Sequence, residues 1–139
     1  MAFPGARKIA TIELRTDRDV AKARSRVSEI MKAKGSRDLM TTRFVTAVSE
    51  IARNAATHGK GGRLLVYDMP DPRLIGVECV DEGSGIEDVE RAMVDGYSTR
   101  QNSLGRGLGG AKRLAKTFTI ESTPGKGTVV RMTGICTTR

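Results

Sequence analysis

An α/β two-layer sandwich, with a mixed, mostly antiparallel sheet and helices on one face, is the fold this sequence predicts. Three observations predict it. Runs of β-forming residues come in pairs joined by turn clusters: 63–69 with 74–80 through Pro70-Asp71-Pro72, and 117–122 with 128–132 through Pro124-Gly125-Lys126-Gly127. Two segments of helical period stand together ahead of the first pair. Strand pairs with helices grouped beside them suit two layers better than a run of parallel βαβ units. The length, 139 residues, is that of one domain with one core, spanning 1–139.

The elements follow in order. Residues 9–14, Ile-Ala-Thr-Ile-Glu-Leu, are short and rich in β-formers and predict a first strand. Thr16 and Asp19 form a capping pair for a helix carried by Val20, Ala23, Val27, Ile30 and Lys34, with Gly35 as its stop. A second helix starts near Ser36 or Asp38. Its stripe is Phe44, Val48, Ile51 and Ala55, and it ends before His58-Gly59-Lys60-Gly61-Gly62. After the first strand pair comes a glycine-rich stretch, 81–110, then a helix near 111–116 and the last two strands.

Composition narrows the function classes. Hydrophobic residues are 38% and charged residues 29%, as in a soluble globular chain. No apolar run approaches the roughly 20 residues that cross a bilayer, and the first residues lack the apolar stretch of a secretion signal, so a cytoplasmic protein is expected, with no membrane partner. Cys79 reads as a core residue and Cys136 as an unreactive thiol; two cysteines and one histidine make no zinc site. The net charge of +8 permits nucleic-acid binding, but the basic residues are spread along the chain and aromatics are only 4%, so stacking platforms are scarce and no nucleic acid is expected. A basic surface also suits nucleotide phosphates and acidic protein partners.

Three segments carry chemistry. In Ser49-Glu50-Ile51-Ala52-Arg53-Asn54-Ala55, Glu50 and Asn54 are four apart and flank the apolar stripe, with Arg53 nearly opposite it. An amide oxygen there can bind Mg²⁺, and a carboxylate can accept a proton from an attacking hydroxyl. Taken alone, the pair fits an ordinary helix with polar flanks better. In Asp81-Glu82-Gly83-Ser84-Gly85-Ile86, a carboxylate at a strand end can accept from an adenine amino group, and the glycines let backbone approach a flat base; a plain β-turn explains the same residues equally well. In Gly105-Arg106-Gly107-Leu108-Gly109-Gly110, four glycines just ahead of a helix present backbone N–H groups to an anion, with Lys112 and Arg113 adding charge. It is neither a dinucleotide fingerprint nor a Walker A loop, and phosphate binding outweighs a merely flexible loop.

The conjunction is more specific than its parts. An Asn-bearing helix, an Asp-x-Gly-x-Gly strand end, a glycine run before a helix and a late Gly125-Lys126-Gly127-Thr128 turn, in that order, resemble the GHKL (Bergerat-fold) ATPase superfamily over most of the chain. The resemblance implies ATP and Mg²⁺ as ligands. It implies Asn54 on the metal, Asp81 on adenine, and Gly83 and Gly85 near the base, with Ile86 also among the nucleotide-binding residues. It places Gly105, Gly107, Gly109 and Gly110 along the phosphates, with Leu108 and Lys112 in the same segment, and Gly127 and Thr128 behind the adenine. Arg106 stands where the superfamily commonly has a small or apolar residue, and either reaches the γ-phosphate or points to solvent.

The wording of the glycine-rich stretch narrows the resemblance. Asp95-Gly96-Tyr97-Ser98-Thr99, then Ser103-Leu104-Gly105-Arg106-Gly107-Leu108-Gly109-Gly110, and Glu121-Ser122 with Gly125-Lys126-Gly127-Thr128, resemble the RsbT-type switch kinases. That implies a serine/threonine kinase acting on a STAS-domain protein in a partner-switching pathway, with Glu50 as candidate base, and a protein phosphatase as a further partner. The helix motif, with Asn54 followed four residues later by His58, also suits the neighbouring anti-sigma branch, in which a sigma factor is the partner. Sequestration of a sigma factor is therefore the alternative output.

Overall fold

The computed structural model of the chain describes residues 3–58, 61–83, 85, 93 and 107–138. Its elements are β1 (Arg7–Leu14), α1 (Asp17–Ala33), α2 (Asp38–His58), β2 (Gly62–Asp68), β3 (Leu74–Asp81), α3 (Gly107–Leu114), β4 (Thr117–Thr123) and β5 (Gly127–Ile135). The strands form a five-stranded sheet in the order β1-β2-β3-β5-β4.

The expected two-layer arrangement is present, with one correction. Every described strand pairing is antiparallel, so the described sheet is not mixed. The reason is topological. β4 runs in the same direction as β3, but β5 folds back between them and pairs with both. The two strands that would make a parallel pair are never neighbours.

The helical layer is set by local signals that the sequence carries. The Thr16 hydroxyl accepts the Asp19 N–H at 3.3 Å, and the Asp19 carboxylate accepts the Thr16 N–H at 3.2 Å and the Arg15 N–H at 2.9 Å. This capping box satisfies N–H groups that have no partner within the helix. The Arg15 N–H is the main cause holding the Asp19 carboxyl below its ordinary value. Gly35, at φ +90, lets the chain leave α1 in the left-handed region.

α2 packs against both α1 and α3 as well as the sheet. Its burial is accordingly wider than one stripe: Val45, Ala47, Ser49, Glu50 and Ala52 are buried along with Phe44, Val48, Ile51 and Ala55. Alternate residues of the inner strands meet it, namely Leu64 and Val66 on β2, Ile75, Val77 and Cys79 on β3, and Val130 and Met132 on β5. The period of two puts all of them on one sheet face. Two contacts fix the direction of α2. The Phe44 ring lies flat on Gly134, where a Cβ would strike it, and the Cys79 thiol reaches the Ile51 carbonyl at 3.7 Å. α2 therefore runs along β3 from its start to its end, and its next turn, with Asn54, arrives where β3 finishes at Asp81.

Candidate functional site

One row of residues crosses the whole sheet at this end: Leu14, Gly62, Asp81, Thr128 and Ser122, each in register with the next. Moving along β3 from Val77 and Cys79, the same face changes from apolar to polar at Asp81. Asp81 is only 7% exposed and Thr128 only 4%. Burial pushes the Asp81 carboxyl above its ordinary value, while the N–H groups of Gly83 and Thr128 pull it back. The Gly83 N–H donates to Asp81 Oδ1 at 3.0 Å, so one oxygen is tied to the turn that follows the strand. The Ser122 hydroxyl lies 2.8 Å from that of Thr128 and 3.2 Å from the Gly127 carbonyl, which orients the threonine from its far side.

The glycines of two separate motifs interlock here. Gly127, at φ +115, lies against the backbone of Asp81 and Glu82, and a Cβ on it would collide with the Asp81 carbonyl oxygen. Gly85, at φ +77, lies against the Thr123 carbonyl and Pro124 in the turn between β4 and β5. The loop after β3 and the turn before β5 thus approach backbone to backbone, a fit that any side chain would block. The expectation for Gly85 was closeness to a base; its described neighbours are this turn. Gly62 makes a third such approach, to the Val80 carbonyl and Asp81.

The glycine run differs from its expected form. α3 begins at Gly107, so Gly109 and Gly110 lie inside the helix and not ahead of it, and both are buried. The first N–H groups of a helix point out of its N-terminus whichever residues supply them. Leu108 is a core residue, 5% exposed, and offers a site only its backbone. Lys112 is exposed and sits with Arg113 in the last turn of α3, away from the helix N-terminus. Ile86, Gly105 and Arg106 lie outside the described residues.

From α2, Glu50 is 4% exposed and reaches the start of α3, where its Oε2 accepts the Gly107 N–H at 3.0 Å. Its Oε1 meets Arg53 Nη1 at 3.2 Å. The side chain of Arg53 is only 22% exposed, although its angular position had suggested the outer face of the helix. α2 packs on α1, α3 and the sheet, so more than one of its sides is covered. Asn54 is half-buried one turn beyond Glu50. Sequence reasoning missed Gly62, Ser122 and Arg53. Arg53 had a legible signal in its spacing of three from Glu50, and Ser122 stood in the Glu121-Ser122 motif without a role assigned to it.

Among the described residues, no group of three or more His, Cys, Asp or Glu could hold a metal ion. A single amide such as Asn54 suits Mg²⁺ that keeps its waters and takes its other ligands from phosphate. Among the described residues, no helix is long and apolar enough to cross a membrane.

The model of the histidine kinase-like ATPase domain matches residues 13–134, and the chain belongs to that family. The matched stretch runs from the end of β1 to the end of β5 and contains every candidate residue above. Serine/threonine-protein kinase RsbT of Bacillus subtilis (strain 168) is 33% identical over 122 residues, covering 86% of this chain and 91% of that protein. An anti-sigma F factor of Thermoanaerobacter sp. (strain X514) is 41% identical over 93 residues, covering 63% of this chain and 65% of its own length. One from Clostridium acetobutylicum is 36% identical over 91 residues, covering 62% and 64%. The kinase similarity extends over nearly the whole chain, and the anti-sigma similarity over a shorter part of it.

Proposed function

We propose that residues 1–139 form a single ATP-binding domain that works in the cytoplasm as a serine/threonine protein kinase, transferring the γ-phosphate of ATP to a STAS-domain partner. One observation carries the reading: Asp81 and Thr128, buried side by side at the sheet end, are locked in place by the Gly85 and Gly127 backbone approaches. A buried carboxylate with that rigid a frame suits the exocyclic amino group of adenine, which donates where guanine accepts. The N-terminal N–H groups of α3, from Gly107 through Gly110, suit phosphate oxygens. Gly105, Arg106 and Ile86 are assigned to the same pocket on sequence alone, and Lys112 supplies positive charge further along α3.

Asn54 would hold Mg²⁺, which when bound offsets the charge on the phosphates. The rest of the catalysis is positioning. The partner hydroxyl oxygen bonds to the γ-phosphorus as the bond from phosphorus to the bridging oxygen breaks, and ADP leaves with that electron pair. Glu50 stands at the α3 N-terminus, within reach of that region, and takes the hydroxyl proton. Transfer of label from γ-labelled ATP to a STAS protein of the same cell tests the reading. A wild-type chain that binds MgATP and labels none of them would sink it. A released kinase of this type would also bind a protein phosphatase, which a pull-down with and without MgADP would detect.

The 41% identity to an anti-sigma F factor supports a second reading, in which the chain binds and sequesters a sigma factor and uses ATP against its antagonist. Both readings predict a rise in melting temperature with MgADP. Co-purification with a sigma factor separates them. Nucleic acid has no part in either.

A further inference from the structure

We propose that Arg53 is a positioning residue for Glu50, holding the carboxylate at the phosphate end of the site; this rests on the kinase reading above. A carboxylate as buried as Glu50, whose side chain is 3% exposed, needs compensating partners, and the described residues include an arginine and a backbone N–H among them. Oε1 meets the Arg53 guanidinium at 3.2 Å and Oε2 accepts the Gly107 N–H at 3.0 Å. The guanidinium is itself steadied by Ser49 Oγ, 3.5 Å from Nη2. The carboxylate is thus held from two directions, from within its own helix and from the first turn of α3.

These two holds differ in what nucleotide binding does to them. The Gly107 N–H belongs to the helix N-terminus that phosphate oxygens would take, so phosphate and Glu50 contend for it. The Arg53 pair lies one turn along α2, between residues 50 and 53, and needs no change when phosphate arrives. With the Gly107 bond loosened, Oε1 stays on Arg53 and Oε2 stays aimed at the α3 N-terminus, where the incoming hydroxyl must lie. Without Arg53, the carboxylate loses the cation that offsets its repulsion from the phosphates. Arg53 therefore acts through Glu50 and touches no substrate.

The test compares wild type, Arg53→Gln and Arg53→Lys by calorimetry with MgADP, by single-turnover phosphate transfer, and by hydrogen exchange at the Gly107 and Val48 amides. Arg53→Gln should slow transfer about tenfold, with the MgADP dissociation constant within about twofold of wild type. Its Gly107 amide should exchange faster while Val48, in the core of α2, is unchanged. Arg53→Lys, which keeps the charge, should recover most of the rate. Transfer by Arg53→Gln at the wild-type rate overturns the proposal. So does a loss matched by weaker MgADP binding and faster exchange at Val48, since that describes general damage to α2. If wild type transfers no phosphate, the kinase reading itself fails, and the Glu50 clamp is then judged on Gly107 alone, with unaltered exchange in Arg53→Gln overturning it.

Discussion

The two ends of this sheet are built from the same strands and the same helix, yet they solve opposite problems. At the start of β3, Phe44 lies on Gly134, and Ile75 and Met132 are fully buried, which is ordinary core packing. At the end of β3, Asp81, Thr128 and Glu50 are nearly as buried, but they are polar, and they are held by glycine backbones at Asp81, by the Ser122 hydroxyl at Thr128 and by Arg53 and the Gly107 N–H at Glu50. The first end stabilises the domain. The second buries charge that destabilises it, and holds that charge in position through the first. The difference teaches that burial alone does not separate core from site; what separates them is whether the buried atoms gain by leaving water.

The sharpest way to break the contrast is Phe44→Ala. It should lower the unfolding free energy by about 3–5 kcal/mol, read by urea denaturation, while the fraction that stays folded binds MgADP normally. If nucleotide affinity falls in step, the two ends are not separable. Next comes Gly127→Ala, which meets both a φ of +115 and the Asp81 carbonyl. The strain should cost about 1–3 kcal/mol, and calorimetry should find nucleotide binding lost even in protein that circular dichroism reports as folded.

Asp81→Asn should separate stability from binding in the opposite sense. Removing a charge-assisted acceptor should weaken ADP binding by roughly tenfold to a hundredfold, while the melting temperature at neutral pH holds or rises. The sign follows from burial. Because the folded carboxyl titrates above its ordinary value, its contribution to stability is complete below the unfolded-state value and is lost as pH rises through the raised one. The melting-temperature gap between variant and wild type should therefore widen in the variant's favour as pH rises across the acidic range. ADP affinity of the wild type should fall as pH drops through that same raised value, since a protonated carboxyl no longer accepts freely. A wild type that loses stability relative to Asp81→Asn on acidification would contradict this. The smallest effect belongs to Lys34→Met, which breaks the partly exposed pair with Asp68 at the far end of the sheet. It should cost at most about 1 kcal/mol and leave nucleotide binding untouched.

Much of the fold was legible because its signals are local. The capping box at Thr16 and Asp19, the stop at Gly35, the stripe on α2 and the turn clusters between strands each depend on residues a few positions apart. The two ends of α3 were not legible in this way. Glycine weakens a helix by itself, so the run at 107–110 reads as loop, and only contact with α2 makes it the start of a helix. Arg53 was placed outward for a related reason: angular position around a helix assumes one buried side, and α2 has several.

By itself the sequence determined the family, the order of elements, the acidic strand end at Asp81 and the glycines that follow it, since these rest on residue type and short spacing. Only the tertiary structure decided that Gly85 meets the β4–β5 turn, that Gly127 meets Asp81, that Ser122 orients Thr128, and that Glu50 joins Arg53 to the first turn of α3. Each of those is a contact between backbones or side chains brought together by strand register and helix packing, and neither distance along the chain nor residue type encodes which carbonyl a glycine will lie against.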